Sequence, residues 1–113
     1  MEDQPIVVLI TAPTAQVGQE IAQALVEKKI AACANAIAPV NSVFHWQGRV
    51  SDEQEVLLVV KSRAALFHEQ LVPAVLAVHP YEVPEIIALP VVMGLQSYLD
   101  WIEEETGGSV TGR

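Results

Sequence analysis

Seven consecutive residues, His79-Pro80-Tyr81-Glu82-Val83-Pro84-Glu85, put an imidazole, a phenol and two carboxylates into one short segment. Such groups can ligate a metal ion, move a proton or hydrogen-bond a polar ligand. The two prolines fix φ at 80 and 84 and push His79 and Val83 towards extended backbone. The segment therefore reads as a stiff connection. A plain connector needs none of these side chains, so a site is to be sought here.

Two kinds of chemistry fit. In the first, a ring nitrogen of His79 ligates a divalent cation, with Glu82 or Glu85 adding oxygen; imidazole suits copper and zinc, and carboxylates are acceptable additions. The ordinary alternative is a helix-terminal His bonded to a backbone carbonyl. Cys33, the single cysteine, would be a soft copper ligand as thiolate, although a free cysteine flanked by alanines is more often a small apolar packing residue. His45, beside Trp46, and His68, beside Glu69, lack the i, i+4 partner of a helical metal site.

The second kind is a polar pocket. Lys61 ends an apolar strand, so its ammonium needs a carboxylate if it is buried, and Glu85 is the obvious candidate. The Tyr81 phenol would be a second donor. Such a group binds an anion or small molecule, or is a structural ion pair. Catalysis finds no support: the chain has no phosphate-cradling glycine loop, HExxH, Ser-x-x-Lys or GxSxG.

The elements that must position these residues follow from periodicity. Ile6–Ile10 is a β-branched run, and Thr14 is a plausible N-cap for a helix with Val17, Ile21, Ala24 and Leu25 on one face. Ile30–Trp46 and Arg49–Lys61 read as arms of a long hairpin around Gln47-Gly48, with an irregularity near Pro39. Ser62 is placed to cap a second helix carrying Leu66, Phe67, Leu71, Val75 and Val78, kinked or divided at Pro73. Ile86–Met93 is a fourth strand, where Pro90 implies an edge or bulge. A short helix covers Ser97–Ile102, and 105–113 reads as a flexible tail. Strand, helix, strand, strand, helix, strand is the α+β, ferredoxin-like (split βαβ) order, an antiparallel sheet with two helices on one face.

Those helices cover one face only. A wet second face would show apolar–polar alternation, but Ile6–Ile10, Val56–Val60 and Ile86–Leu89 are apolar throughout. Each buried aliphatic side chain contributes ~1.5–3 kcal/mol. Leaving several in water forfeits an amount comparable with the ~5–15 kcal/mol that holds a domain together. Other copies of the chain are the economical cover, with the last helix covering a part.

The 113 residues fit one domain with one core, and the formal charge of −8 opposes a nucleic-acid partner, which needs clustered positive charge. A single cysteine suits a reducing compartment. An acidic start without a basic targeting region, and no apolar stretch near the ~20 residues of a membrane helix, lead to the expectation of a cytoplasmic protein without a membrane partner.

Taken in order, Ala31-Ala32-Cys33-Ala34-Asn35, Phe44-His45-Trp46-Gln47-Gly48-Arg49, Glu55–Lys61, His79–Ile86 and Tyr98-Leu99-Asp100-Trp101-Ile102 resemble the CutA family of divalent-cation tolerance proteins. The resemblance runs from about Ile6 to Ile102. It implies a ferredoxin-like fold assembled as a homotrimer similar to the PII signalling proteins, a long hairpin reaching a neighbouring subunit, and a non-enzymatic role in tolerance of copper or another divalent cation. It also implies that Trp46, Gln47, Lys61, Tyr81 and Glu85 lie at a polar cleft between subunits. Copper-binding relatives can carry a cysteine and a further histidine where this chain has Ile10 and Val78, which leaves His79 of that ligand set.

Overall fold

The computed structural model describes residues 3–107; the end of the expected tail, 108–113, lies outside them. Four strands and three helices run in the order β1 (Pro5–Ala12), α1 (Ala15–Glu27), β2 (Cys33–Trp46), β3 (Arg49–Arg63), a helical segment ending in α2 (Val72–Leu76), β4 (Ile86–Pro90) and α3 (Gln96–Glu105). The strands form one antiparallel sheet in the order β2-β3-β1-β4. The expected fold class holds: this is the α+β, ferredoxin-like arrangement.

Alternation along the strands sorts their side chains onto two faces. Ile6, Val8, Ile10 and Ala12 of β1 and Val56, Leu58 and Val60 of β3 point to one face and are almost fully buried. They pack with Ile21 and Leu25 of α1 and Leu71 and Val75 of the second helical segment. Thr14 caps α1 by accepting a hydrogen bond at Oγ1 from the Val17 N–H, 3.1 Å away. Gly18 lets α1 approach closely, since a Cβ there would stand 3.2 Å from Val56 Cγ1.

The hairpin turns at Gln47 and Gly48, whose φ angles are 50° and 77°. Two successive positive φ values make the tight turn whose twist suits a two-residue hairpin loop, and glycine adopts that region without strain. A register shift lies between Ile37 and Val40, at the Ala38–Pro39 step, where the sequence implied an irregularity. Beyond it, Val40–Trp46 pairs only with Arg49–Glu55, because β1 reaches no further along β3 than Val56. This two-stranded arm accounts for a long dimension of 52 Å against 25 and 24 Å. It exposes Val43, Phe44, Trp46 and Val50.

One local expectation needs correction and one alternative is decided. Ser62 is no helix cap: it lies fully buried in β3, and its hydroxyl donates to the Ile30 carbonyl at 2.6 Å. The following turn is held from the other end of the chain, the Ala65 N–H donating to Asp3 Oδ1 at 3.0 Å. Of the two alternatives for the second helix, a kink or a division near Pro73, the structure shows a division: a 3-10 turn at Ala64–Leu66, a π turn at Phe67–Leu71 and then α2. Pro73 falls in the first turn of α2, where its missing N–H costs little. β4 is shorter than its apolar run, ending at Pro90 on the sheet edge, with Val91 N–H still donating to the Pro5 carbonyl at 3.1 Å.

The second sheet face is only partly covered. Its cross-strand rows are Cys33–Lys61–Val7–Leu89 and Asn35–Val59–Leu9–Ile87, followed by Ile37–Leu57–Thr11. α3 is fastened at one end of this face. Arg63 donates to the Thr106 hydroxyl and carbonyl, both at 2.9 Å, and to Asp3 at 2.6 Å. Ile37, Ile87 and Leu89 remain about half exposed.

Candidate functional site

The His79 segment begins where α2 ends, the His79 N–H donating to the Val75 carbonyl at 2.9 Å. The ring then turns inward and is 8% exposed. Its Nε2 lies 2.7 Å from the Thr11 carbonyl at the end of β1, and its Nδ1 accepts the Tyr81 N–H at 3.1 Å. A carbonyl can only accept and an amide N–H can only donate, so the ring is a neutral imidazole with its proton on Nε2. This matches the ordinary reading of a helix-terminal His bonded to a backbone carbonyl. Either nitrogen can reach a metal only by giving up one of these bonds.

Tyr81 carries the chain across to the hairpin. Its ring lies 4.8 Å from the His79 ring, and its hydroxyl donates to Glu55 Oε2 at 2.8 Å. Glu55 is 7% exposed, a buried carboxylate anchored by a phenol. Burial first, then the hydrogen bond and negative charge of Glu55, and then the charge of Glu53, push the Tyr81 hydroxyl up to about 12. Sequence reasoning misses Glu55 as a site residue. The available signal is its position, a carboxylate opening an otherwise apolar strand in phase with Lys61.

An open groove of ≈ 340 Å³ lies beside Glu55, walled by Pro13, Thr14 and Ala15 at the start of α1, by Ala38 and Pro39 at the bulge, and by Gln54 and Val56.

Lys61 stands elsewhere. Its ammonium donates to Asn35 Oδ1 on the open sheet face, beside Cys33, whose thiol lies 3.9 Å from the same oxygen. Cys33 is half-buried and free, less enclosed than an ordinary packing cysteine. The Tyr98 hydroxyl of α3 is raised by burial and then by the neighbouring Cys33 thiol. Within one chain, Lys61 and Glu85 stand apart. Ile86 pairs with Ile10, and Ile10 with Leu58, so Glu85 lies level with Leu57. That is four residues from Lys61 along β3, or about 13 Å at ~3.3 Å per residue.

The five residues expected at a polar cleft are therefore dispersed in one chain. Trp46 and Gln47 occupy the hairpin tip, Lys61 the open face and Tyr81 the Glu55 contact, while Glu85 is exposed at the entry to β4. Glu82 is also exposed. Among the described residues, no group of three or more His, Cys, Asp and Glu is placed to hold a metal ion.

Comparison with known proteins settles the family. The model of the CutA1 divalent ion tolerance protein family matches residues 6–105. The chain belongs to this family. It is 50% identical over 101 residues to the divalent-cation tolerance protein CutA of Thermus thermophilus, covering 89% of this chain and 97% of that one. It is 43% identical over 97 residues to human protein CutA, covering 86% of this chain but about half, 54%, of the human protein. Among solved structures, the divalent cation tolerance protein of Thermus thermophilus matches with a TM-score of 0.88 at 48% identity, over 91% of this chain and 99% of that one. CutA1 from Oryza sativa matches with 0.89 at 39%, over 94% and 96%. Among the described residues, no helix is long and apolar enough to cross a membrane.

Proposed function

We propose that this protein is a non-enzymatic divalent-cation tolerance protein of the CutA type, working as a homotrimer in the cytoplasm. Its direct chemistry is weak binding of Cu²⁺ or a similar ion, anchored by His79. The observation that carries the assembly is the second sheet face, a patch of Val, Leu and Ile that one α3 cannot cover. On the metal side, family membership supports the cation, and the neutral His79 imidazole is the protonation state a metal requires.

The donors of one chain do not make a metal centre. His79 must release either Tyr81 N–H or the Thr11 carbonyl, and its acidic neighbours Glu82 and Glu85 stand in solvent. Binding at His79 is therefore weak in one chain, and further donors have to come from neighbouring copies. Calorimetric titration of Cu²⁺ into the wild type and His79→Gln tests this. Gln keeps an N–H for Thr11 but offers no imidazole. Loss of the heat in the variant is expected; equal heats in both proteins would remove His79 as the anchor.

The groove beside Glu55 favours a second reading, a PII-like module that takes a small ligand. There Gln54 and Glu55 supply the polar contacts, with Pro13, Pro39 and Val56 as apolar walls. A ligand held there survives His79→Gln and is lost on filling the groove with Ala38→Trp.

A further inference from the structure

Glu55 is 7% exposed, yet only one of its two carboxylate oxygens is provided for. Oε2 accepts the Tyr81 hydroxyl at 2.8 Å. That phenol is pushed up to about 12, so it remains a donor at neutral pH. Among the described residues, Oε1 has no hydrogen-bond donor, and no cation stands within salt-bridge distance of the carboxylate. A buried carboxylate left with one neutral partner is costly and calls for an explanation. No fully buried side-chain oxygen among the described residues lacks a partner. Oε1 therefore meets an opening, and the groove of ≈ 340 Å³ that Glu55 lines supplies it.

The lining narrows what can sit there. A divalent cation takes several oxygen, nitrogen or sulfur donors. No group of three His, Cys, Asp and Glu side chains is gathered for one among the described residues. A guanidinium binds best through both oxygens of one carboxylate, and Tyr81 already holds one of them. A primary ammonium is a compact point charge that a single free oxygen can pair with. The Gln54 amide and Thr14 hydroxyl of the same lining offer oxygens to its other N–H groups. Pro13, Pro39 and Val56 are apolar walls for an alkyl chain. The formal charge of −8 draws cations to the molecule as a whole.

We propose that the groove beside Glu55 binds a primary alkylammonium ion, with Glu55 Oε1 as its counter-charge. Tyr81 acts as a specificity residue: by occupying Oε2 it reserves the site for a donor that needs one oxygen. The inference rests on the small-ligand reading given above and adds the chemical class of the ligand.

Probes of matched size and different charge test it on the protein as purified. n-Butylammonium, n-butylguanidinium, butyramide and butyrate are each titrated at neutral pH, with the backbone amide ¹H–¹⁵N signals of Thr14, Ala15, Ala38 and Gln54 as the readout. n-Butylammonium is expected to move these signals and to bind about tenfold or more tighter than the other three. Glu55→Gln should weaken it by about tenfold or more, and Ala38→Trp, which fills the groove, should abolish it. The ranking of the probes is read on the wild type, so it stands even where Glu55→Gln fails to fold. Nα-acetyl-lysinamide separates two sources of the same chemistry: binding tighter than n-butylammonium assigns a lysine side chain, and weaker binding a free amine. Groove signals that move as readily with butyramide or butyrate overturn the ammonium assignment and leave a small-ligand groove standing. Silence with every probe overturns both.

Discussion

The two faces of one sheet have nearly the same aliphatic content and different surroundings. Along β1, Ile6, Val8, Ile10 and Ala12 are between 0 and 4% exposed, while the alternating Val7, Leu9 and Thr11 are only partly covered. Along β3 the same division separates Val56, Leu58 and Val60 from Leu57, Val59 and Lys61. The first face is finished within one chain by α1 and the second helical segment. The second receives only α3 at one end, and it carries nearly all the strand residues that could do chemistry. Glu55, Lys61, Asn35 and Cys33 all belong to it. Apolar content alone does not distinguish a core from an interface, but the placing of charge does.

The largest effect that sharpens this contrast comes from neighbouring residues of β3. Leu58→Ala removes a fully buried side chain and should cost about 2–5 kcal/mol, whatever the protein concentration. Val59→Ala empties the open face and should cost under about 1.5 kcal/mol in the dissociated chain. Its effect should grow with concentration, because the contacts it loses are between copies. Urea denaturation of both variants at two widely separated concentrations reads the difference. Equal, concentration-independent losses would mean that the second face is finished within the chain.

Much of this division is legible in the amino-acid sequence. Unbroken apolar runs show that both faces need cover, Gln47-Gly48 marks the hairpin turn, and Thr14 marks the start of α1. Pro39 and Pro90 each point to an interruption or edge that is there. What stays hidden depends on register. Lys61 and Glu85 look complementary in sequence, and only the pairing of Ile86 with Ile10 and Ile10 with Leu58 shows them several residues apart. Tyr81 and Glu55 are likewise 26 positions apart, and no local pattern joins them. Ser62 has a good capping side chain, yet β3 continues through it because its hydroxyl has the Ile30 carbonyl to bond.

A smaller effect separates the two ends of the second face. Tyr81→Phe keeps the ring against His79 but removes the hydrogen bond that the phenol donates to the Glu55 carboxylate. A buried acceptor left without its donor costs about 1–3 kcal/mol, and the loss should appear in thermal unfolding. Adding Glu55→Gln should recover part of it, since a neutral amide is cheaper to leave unpaired than a carboxylate. At the opposite end, Arg63→Lys should loosen α3 through loss of the forked contact to Thr106, while leaving the Tyr81–Glu55 bond unaffected. If one variant also shifts the other's region in hydrogen exchange, the ends are coupled through the sheet.

The smallest expected effect is a pH dependence confined to the Tyr81 end. Tyr81 and Tyr98 are the two tyrosines of the chain, so Tyr98→Phe leaves a single phenol to follow by its ultraviolet absorbance. In the folded protein Tyr81 is pushed up to about 12 by burial and then by Glu55, against an ordinary value near ~10 in the unfolded chain. Between these values the folded state holds the phenolic proton while the unfolded state has lost it. The unfolded state then binds fewer protons, so stability falls as pH rises. The contribution is intact below about pH 10 and disappears progressively towards about pH 12. Compared with Tyr98→Phe alone, the doubly substituted Tyr81→Phe/Tyr98→Phe protein should lack this alkaline slope. A Tyr81 that titrates near ~10 in the folded protein would mean that its hydroxyl is not held by a buried Glu55, and the contrast between the two ends of the face would reduce to packing.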